Sequence, residues 1–215
     1  MKHFKIVLTL ILLLTTVSTK SIEVPKEEIP ILMNELVVVA HPILEQDELI
    51  DRIMNIETSE CGKDFIKSHE GYRDRAYTIN DGMITIGYGH AERIGRSRYR
   101  LGQKISIETA ERLFNVDVWE AEQGVKKILI ENICFNDSEI YITQSMFDAL
   151  VSMAYNMGVN GLATTTFIER LVESENPIET AELIKTTRIR GWSGLKKRRE
   201  GEYKLFISSS INQIS

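Results

Sequence analysis

The spacing of apolar residues predicts a helix over the stretch GKDFIKSHEG. Phe65, Ile66 and His69 fall on one helical stripe, and Gly71 is a residue type that commonly ends a helix with a positive φ. Glu70 would then be the last residue of this helix. A carboxylate is unfavourable there, because the carbonyl end of the helix dipole is negative. Local rules tend to be broken at functional sites, so the pattern makes Glu70 a candidate functional residue.

The next stretch, AYTINDGMITIGYGH, predicts a β-hairpin. Its apolar and β-branched residues lie on both sides of Asn80, Asp81 and Gly82, a combination that favours a turn. Thr85 would lie inside the second strand of this hairpin.

Helical spacing returns in the second half of the chain. The stretch SIETAERLFNVDVWEAEQGVKKIL starts at Ser106 and continues as an amphipathic helix. Residues 143–158, TQSMFDALVSMAYNMG, have so broad an apolar stripe that they predict the buried centre of this half. Further helices are predicted to start near Thr164, Pro177 and Ser193. The order of elements predicts an α+β fold, with a small β-hairpin lobe and a larger helical lobe.

Residues 1–20 are predicted to be a cleaved signal peptide. MKHFK supplies a basic start, and the apolar run Ile6–Val17 has twelve residues, a length typical of a signal sequence and short for a membrane-spanning helix. Val17–Thr19 offers small residues for cleavage. The competing interpretation is an uncleaved membrane anchor. We therefore expect a secreted or periplasmic protein, without stable membrane insertion once the signal is removed.

Residues 21–58 are predicted to be an acidic leader with one helix, ahead of a domain at residues 59–210. The leader contains Pro25, Pro30 and Pro42. Within it, LVVVAHPI favours a short strand, and LEQDELIDRIMNI has the apolar spacing of one helix that would dock on the domain.

Charge is distributed unevenly along the chain. Of 26 Lys/Arg and 31 Asp/Glu residues, residues 1–60 hold five basic and ten acidic ones, so residues 61–215 hold 21 of each sign. The net charge of −5 therefore arises in the N-terminal arm. With 43% hydrophobic and 27% charged residues, the composition is that of a globular protein. No basic surface of the kind that binds nucleic acid is indicated.

The two cysteines, Cys61 and Cys134, do not have the spacing of a metal site. In an oxidising compartment they could form one disulfide, and two separate, partly buried thiols are an equally supported alternative. The sequence shows no ligand-spaced His/Cys set and no phosphate-binding loop. Neither a metal nor an organic cofactor is therefore expected.

Three separated blocks of the chain carry a family resemblance. The first block is EG followed by AY and TIGYGH, the second is QSMFDALVSMAYNMG, and the third is GWSGLKKRREGEYKLF. Together they resemble the phage-type lysozymes, an endolysin family of muramidases also called glycoside hydrolase family 24. The blocks occur in the family's order and cover most of residues 62–207. The resemblance implies a lysozyme-like fold with a substrate cleft between its two lobes. It also implies hydrolysis of the β-1,4 bond between N-acetylmuramic acid and N-acetylglucosamine in the glycan strands of peptidoglycan. We expect a monomer.

The resemblance implies roles for three positions. Glu70 would be the general acid that protonates the leaving oxygen, and Thr85 would position the attacking water. The family's third residue is an aspartate nine positions after the glutamate, and this chain has Ile79 there.

Three interpretations address the missing carboxylate. Asp81 would replace it if the hairpin tip were shifted, although turn chemistry alone accounts for an aspartate at that position. Alternatively, Glu70 and Thr85 act without it in a slower reaction, since general acid–base steps usually contribute about 10²–10⁴-fold. In the third interpretation the protein binds peptidoglycan without cleaving it. The apolar Ile79 favours this last interpretation, and the retained Glu70 and Thr85 favour an enzyme.

Tyr88, His90 and Asn156 complete the predicted site as substrate-binding residues. For His90 the alternative is a structural hydrogen bond to a carboxylate, and for Asn156 it is a helix cap. Trp192 and Tyr155 are predicted core residues. A basic set around the last predicted helix is expected to be a solvated helix face, with contact to anionic wall polymers as the alternative. This set comprises Arg188, Arg190, Lys196, Lys197, Arg198 and Arg199.

Overall fold

The computed structural model describes residues 46–136, 141–174, 176–189 and 193–211. The helices are α1 Gln46–Asn55, α2 Glu60–Glu70, α3 Ile107–Asn136, α4 Gln144–Met157, α5 Val159–Ala163, α6 Thr166–Glu173, α7 Pro177–Thr180, a 3₁₀ helix Ala181–Thr186, and α8 Ser193–Ile211. The strands are β1 Arg73–Tyr77, β2 Met83–Gly87 and β3 His90–Arg93. The predicted signal peptide, the short strand predicted in the leader, and the predicted core residue Trp192 lie outside the described residues.

The described residues form an α+β fold, which confirms the predicted class. The strands make one antiparallel sheet in the order β1-β2-β3. The sequence predicted only the hairpin of β1 and β2. The third strand follows a two-residue turn at Tyr88 and Gly89, where Gly89 has a φ of +99° that few other residues tolerate.

Helix α2 ends where its sequence predicts and begins at Glu60, two residues before the predicted stretch. The hydroxyl of Ser59 accepts a hydrogen bond from the backbone N–H of Gly62 and so caps the first turn. The helix ends at Glu70, and Gly71 follows it with a φ of +70°. Only Gly71 and Tyr72 then separate Glu70 from the first strand.

The register of the hairpin determines which side chains share a face. Tyr77 lies opposite Thr85 across β1 and β2. Ile84 and Ile86 are buried on one face, together with Ala76 from β1. Because side chains alternate along a strand, Thr85 lies on the opposite face.

The apolar residues form two clusters, and helix α3 contributes to both. The larger cluster lies among the helices and includes Phe114, Val118 and Leu129 of α3. The smaller cluster lies between the sheet and the start of α3. It comprises Ala76, Ile84, Ile86, Ile105, Ala110 and Leu113, with Tyr88 and Tyr99 packed against it.

Helix α4 is the buried centre of the helical lobe, as predicted. Every residue from Met146 to Ala154 is buried. Helix α8 packs along it, as do parts of α2 and α3. Helix α1, which the sequence predicted within the leader, adds Leu49 and Ile53 to the same core.

Both cysteines are exposed free thiols. Of the two alternatives from the sequence, the structure therefore has separate thiols, although Cys61 and Cys134 are exposed where partial burial was expected. No helix within the described ranges combines the length and the apolar character needed to cross a membrane.

Candidate active site

The Glu70 carboxylate is held by an arginine from the far end of the chain. Oε1 of Glu70 accepts a hydrogen bond of 2.5 Å from Nη1 of Arg198, on α8. The Glu70 side chain is 20% exposed and that of Arg198 is 5% exposed. A guanidinium placed here offsets the repulsion between the carboxylate and the carbonyl end of α2.

Arg198 is itself fixed by two partners in the core. Its Nε donates to Oε1 of Glu202 at 3.1 Å, and its Nη2 donates to the carbonyl oxygen of Ser152 at 3.1 Å. The Ser152 hydroxyl donates to the same Glu202 oxygen at 2.8 Å. Glu202 and Ser152 are fully buried, so this network joins the end of α2 to the middle of α4 and of α8 inside the helical core.

A second buried arginine completes the network. Arg199 is paired with Glu202, and its Nη2 donates to Oδ1 of Asn156 at 2.7 Å. Its Nε donates to the carbonyl oxygen of Thr187 at 3.0 Å. The Asn156 side chain, predicted to bind substrate, therefore already accepts a hydrogen bond within the protein.

The prediction that the basic residues of the last helix form a solvated face is wrong for Arg198 and Arg199. Arg198 is 4% exposed and Arg199 is 1% exposed, because this side of α8 packs against α4 and meets Glu202 there. Lys196 and Lys197 are exposed as expected.

The second oxygen of Glu70 lies beside Gly89. A Cβ atom on Gly89 would lie 3.4 Å from Oε2, which is van der Waals contact. Gly89 also lines a cleft of about 280 Å³ between the sheet and the helices. The cleft is lined by Gly89, Ala91, Asp117, Glu120, Ala121, Ala154, Tyr155, Gly158 and Val159.

Thr85 lies at the centre of the sheet. It is paired with Tyr77 on one side and with Ala91, a cleft residue, on the other. Its side chain is partly exposed, and among the described residues no group forms a hydrogen bond to its hydroxyl. The hydroxyl is therefore available to a water molecule or a sugar.

Asp81 serves the turn of the hairpin. Its Oδ1 accepts a hydrogen bond of 3.0 Å from the backbone N–H of Met83, and the residue is exposed. Asn80, beside it, has a φ of +64°, a conformation that asparagine tolerates. Ile79 is 72% exposed in the same loop.

Tyr88 connects the sheet to α2 and α3. Its hydroxyl donates to Oε1 of Glu111 at 3.0 Å, and Lys67 lies 2.5 Å from the other oxygen of Glu111. Burial, followed by the hydrogen bond to Glu111, raises the pKa of Tyr88. The hydrogen bond from Lys67 lowers the pKa of Glu111. Tyr88 is therefore a neutral donor held in one orientation.

Tyr155 forms part of the cleft wall as well as packing on the core. Its hydroxyl donates to the carbonyl oxygen of Tyr88 at 2.8 Å. Burial raises the pKa of Tyr155, and the charges of Asp117 and Glu70 raise it further. The predicted core assignment is therefore incomplete, because this side chain also lies near the candidate acid.

His90 is placed between two carboxylates. Its Nδ1 lies 2.9 Å from Oδ1 of Asp117 on α3, and its Nε2 lies 3.2 Å from Oε1 of Glu92. The hydrogen bond that His90 donates to Asp117 raises the pKa of His90, and this effect outweighs the opposing effect of burial. Within the protein, His90 therefore makes the structural hydrogen bond to a carboxylate that the sequence offered as its alternative role. This bond links β3 to α3.

The comparison with protein families identifies this arrangement. The protein-family model described as phage lysozyme matches residues 67–202 of this chain. The match covers more than half of the chain and includes Glu70, Thr85 and Arg198. The chain belongs to the phage lysozyme family.

Individual relatives agree with the family assignment. The endolysin of Bacillus phage B103 is 38% identical over 166 residues, which is 75% of this chain and 57% of that relative. This chain thus spans less than two thirds of that relative's length. The endolysin of Acyrthosiphon pisum secondary endosymbiont phage 1 is 30% identical over 157 residues, which is 70% of this chain and 98% of that relative. The solved endolysin from Escherichia coli O157:H7 phage FAHEc1 is similar with a TM-score of 0.59 at 31% identity, covering 72% of this chain and 96% of that one.

Sequence reasoning missed the residues that hold the candidate acid in this phage lysozyme fold. Arg198 and Glu202 belong to the third block of the family resemblance, but they looked like ordinary members of a charged helix. The spacing of Arg198 and Glu202, four residues apart, was the available signal. Equally spaced charges also occur on exposed helices, so burial could not be predicted from spacing alone.

Within the described ranges, no group of three or more His, Cys, Asp or Glu side chains is arranged to hold a metal ion.

Proposed function

We propose that this protein is a lysozyme that hydrolyses the β-1,4 bond between N-acetylmuramic acid and N-acetylglucosamine of peptidoglycan. The observation that carries the proposal is the placement of Glu70, whose Oε2 lies beside Gly89 at the cleft while Arg198 holds Oε1. Membership of the phage lysozyme family and similarity to endolysins support the same activity.

Glu70 is the proposed general acid. Arg198 occupies Oε1, so Oε2 is the oxygen left to carry a proton towards the glycosidic bond. In the reaction that proton passes to the oxygen of the departing N-acetylglucosamine. A water molecule adds to the anomeric carbon of N-acetylmuramic acid, and the proton that water loses restores the acid.

Thr85 is the proposed residue that positions this water. Its hydroxyl has no hydrogen-bond partner among the described residues, and it lies on the exposed face of β2 beside the cleft residue Ala91. Asp81 is engaged in its turn, which supports a mechanism in which Glu70 and Thr85 act without a second carboxylate.

Substrate contacts are proposed for Tyr88, His90 and Asn156. Each side chain already has a protein partner, namely Glu111, Asp117 and Arg199 respectively. These hydrogen bonds hold the three side chains in fixed orientations, and the atoms not used in them are available to the glycan. Less side-chain entropy is therefore lost when the glycan binds.

A second candidate function is peptidoglycan binding without cleavage. It is favoured by Ile79, an apolar and exposed residue at the position of the family's aspartate. The two candidates predict the same binding but opposite results in a cleavage assay.

The proposed organisation is a cleaved signal at residues 1–20, a leader at residues 21–58 and a lysozyme domain at residues 59–210, in a secreted or periplasmic monomer. Helix α1 lies in that leader and buries Leu49 and Ile53 against the domain. A truncation that tests the leader should therefore retain α1 and remove residues 21–45 only. Unequal clearing of peptidoglycan with and without those residues would give the leader a regulatory role.

The decisive experiment is digestion of purified peptidoglycan, with borohydride reduction and mass spectrometry of the products. We expect reduced muramic acid at the new ends, because the bond cleaved is the one on the muramic acid side. Glu70→Gln should abolish cleavage, while Glu169→Gln, a matched change at an exposed position on α6, should not. Asp81→Asn should stay active, since the amide oxygen can still accept the turn hydrogen bond.

Three results would contradict the proposal in different ways. Cleavage by Glu70→Gln would remove Glu70 as the acid. Loss of cleavage with Asp81→Asn, in a folded protein, would show that Asp81 supplies the missing carboxylate. Binding without cleavage by the unmutated chain would establish the non-catalytic function.

A further inference from the structure

The face of the sheet that carries Thr85 also carries two exposed arginines. Arg73 of β1 lies opposite Gly87, and Arg93 of β3 lies opposite Met83. Gly87 and Met83 are each two residues from Thr85, one on either side. Paired residues share a face and side chains alternate along a strand, so Arg93 lies on the face of Thr85. The pairing of β1 with β2 shifts register between Arg73 and Tyr77, and Arg73 is placed on this face by its contact with the ring of Tyr77, which lies opposite Thr85.

One of these arginines is already ordered for binding. The guanidinium carbon of Arg73 lies 4.3 Å from the centre of the Tyr77 ring, and Tyr77 is directly opposite Thr85. This cation–π contact holds the guanidinium over the ring and leaves its N–H groups free for a ligand.

The charge of the sheet lobe is not neutralised within the lobe. Residues 71–104 hold seven basic and three acidic residues, in a chain whose net charge is −5. Two of the seven, Arg98 and Lys104, are paired with carboxylates of the lobe. Neither Arg73 nor Arg93 has a carboxylate of the described residues within ion-pair distance. Their charges are therefore available to an external anion.

We propose that Arg73 and Arg93 bind carboxylates of the peptides that substitute the glycan strand of peptidoglycan, an inference that rests on the proposed function. The alternating sugars of that strand are uncharged, whereas the peptides attached to muramic acid carry carboxylates. The proposal requires that a strand lying across Thr85 place such peptides near the two ends of this face, where Arg73 and Arg93 lie. The planar fork of a guanidinium matches a carboxylate with two parallel hydrogen bonds.

This assignment makes the two arginines determinants of substrate choice. They do not contact the reacting bond, so they contribute to binding of the peptide-bearing strand and not to the chemical step. Because both are exposed, their effect is screened by salt and is modest for each residue.

The test compares two substrates made from one preparation, peptide-bearing peptidoglycan and the same glycan after an amidase has removed the peptides. The full chain is compared with the Arg73→Gln/Arg93→Gln variant. On peptide-bearing substrate the KM should rise roughly three- to tenfold with kcat unchanged. On peptide-free glycan the two proteins should have equal KM values.

The matched control is Arg96→Gln/Arg100→Gln, which removes the same charge from two exposed positions beyond β3. It should leave KM unchanged on both substrates. An equal rise in the control would show that only the net charge of the lobe matters, and would overturn the proposal. So would an unchanged KM for Arg73→Gln/Arg93→Gln, or a rise that persists on peptide-free glycan. The KM of Arg73→Gln/Arg93→Gln could also rise only while phosphate-containing polymers remain attached to the peptidoglycan. That result would assign this face to phosphate binding and would also overturn the proposal.

A binding measurement separates this inference from the proposed hydrolysis. Sedimentation with each substrate is measured in the Glu70→Gln background, with and without the two arginine changes. Weaker binding to peptide-bearing material alone supports the inference even if the unmutated chain does not cleave. Cleavage by the unmutated chain without any such difference would reject the inference and leave the proposed function standing.

Discussion

At the scale of single residues, position 79 is where the family resemblance predicts an aspartate and this chain has an isoleucine. Ile79 is the second residue after β1. It lies on the same loop as Asp81, whose side chain accepts a hydrogen bond from the backbone N–H of Met83. The residue is 72% exposed, so a carboxylate there would not be desolvated. The local structure therefore has room for the family's aspartate without rearrangement.

We expect Ile79→Asp to increase the rate of peptidoglycan cleavage. A positioned general base contributes about 10²–10⁴-fold, so a gain of at least about tenfold is anticipated even with imperfect placement. The measurement is the initial rate of reducing-end release. Asn80→Asp is the matched control, because it adds the same charge to the next position of the loop. Equal rates for all three proteins would mean that this loop does not reach the reacting bond.

At the scale of elements, the candidate acid depends on a helix that is more than 120 residues away in sequence. Helix α8 supplies Arg198 to Glu70 and supplies Glu202 to hold Arg198 in place. Two glutamates and two arginines share this buried network, since Arg199 also pairs with Glu202. Opposite charges therefore compensate one another where Arg198, Arg199 and Glu202 are buried.

We expect Glu202→Gln to destabilise the fold by about 3–5 kcal/mol, because it leaves a buried guanidinium without its compensating charge. Denaturant unfolding measures the change. Lys197→Gln, at an exposed position on the same helix, should change stability by less than about 0.5 kcal/mol. A loss below about 1 kcal/mol for Glu202→Gln would show that the two arginines find other partners or water.

The sequence predicted those elements whose signals are local. Helix α2 has a capping serine, an apolar stripe and a terminal glycine, all within thirteen residues, and α4 has an apolar stripe broad enough to identify the core. Strand β3 was missed because its four residues, HAER, have no apolar alternation. The burial of Arg198 was missed because it depends on Glu202 and Ser152 meeting it from two different helices, a tertiary fact without a local pattern.

At the scale of the whole molecule, His90 connects the sheet to helix α3 through a hydrogen bond. Its partners are Asp117 of α3 and Glu92 of its own strand. Burial raises the pKa of Glu92, but hydrogen bonds from Arg98, His90 and Ser97 lower it to about 2. Glu92 therefore stays charged throughout the range in which His90 titrates.

The stability of the molecule should depend on the protonation of His90. Its pKa in the folded state is raised by Asp117, above the value of about 6.5 expected in the unfolded chain. The contribution of His90 is therefore fully present below about pH 6.5 and is lost as the pH rises through the folded-state pKa. We expect His90→Gln to lower the free energy of unfolding by about 2 kcal/mol at acidic pH, and by less at alkaline pH.

Denaturant unfolding of both proteins between about pH 5 and 9 measures this difference. Burial lowers the pKa of His69, so that residue gives the opposite slope, but it is present in both proteins and cancels in the comparison. A difference that is constant with pH would show that His90 acts through packing alone. Asp117→Asn should flatten the dependence in the same way as removal of the histidine.

Helix α3 belongs to both apolar clusters and runs for 30 residues without interruption. At 1.5 Å per residue it is a rod of about 45 Å. Such a rod bends gently and does not fold at a point unless a proline or bulge interrupts it. The sheet and the helical core are therefore attached to one stiff helix, and on this side the width of the cleft between them can change only as far as α3 bends.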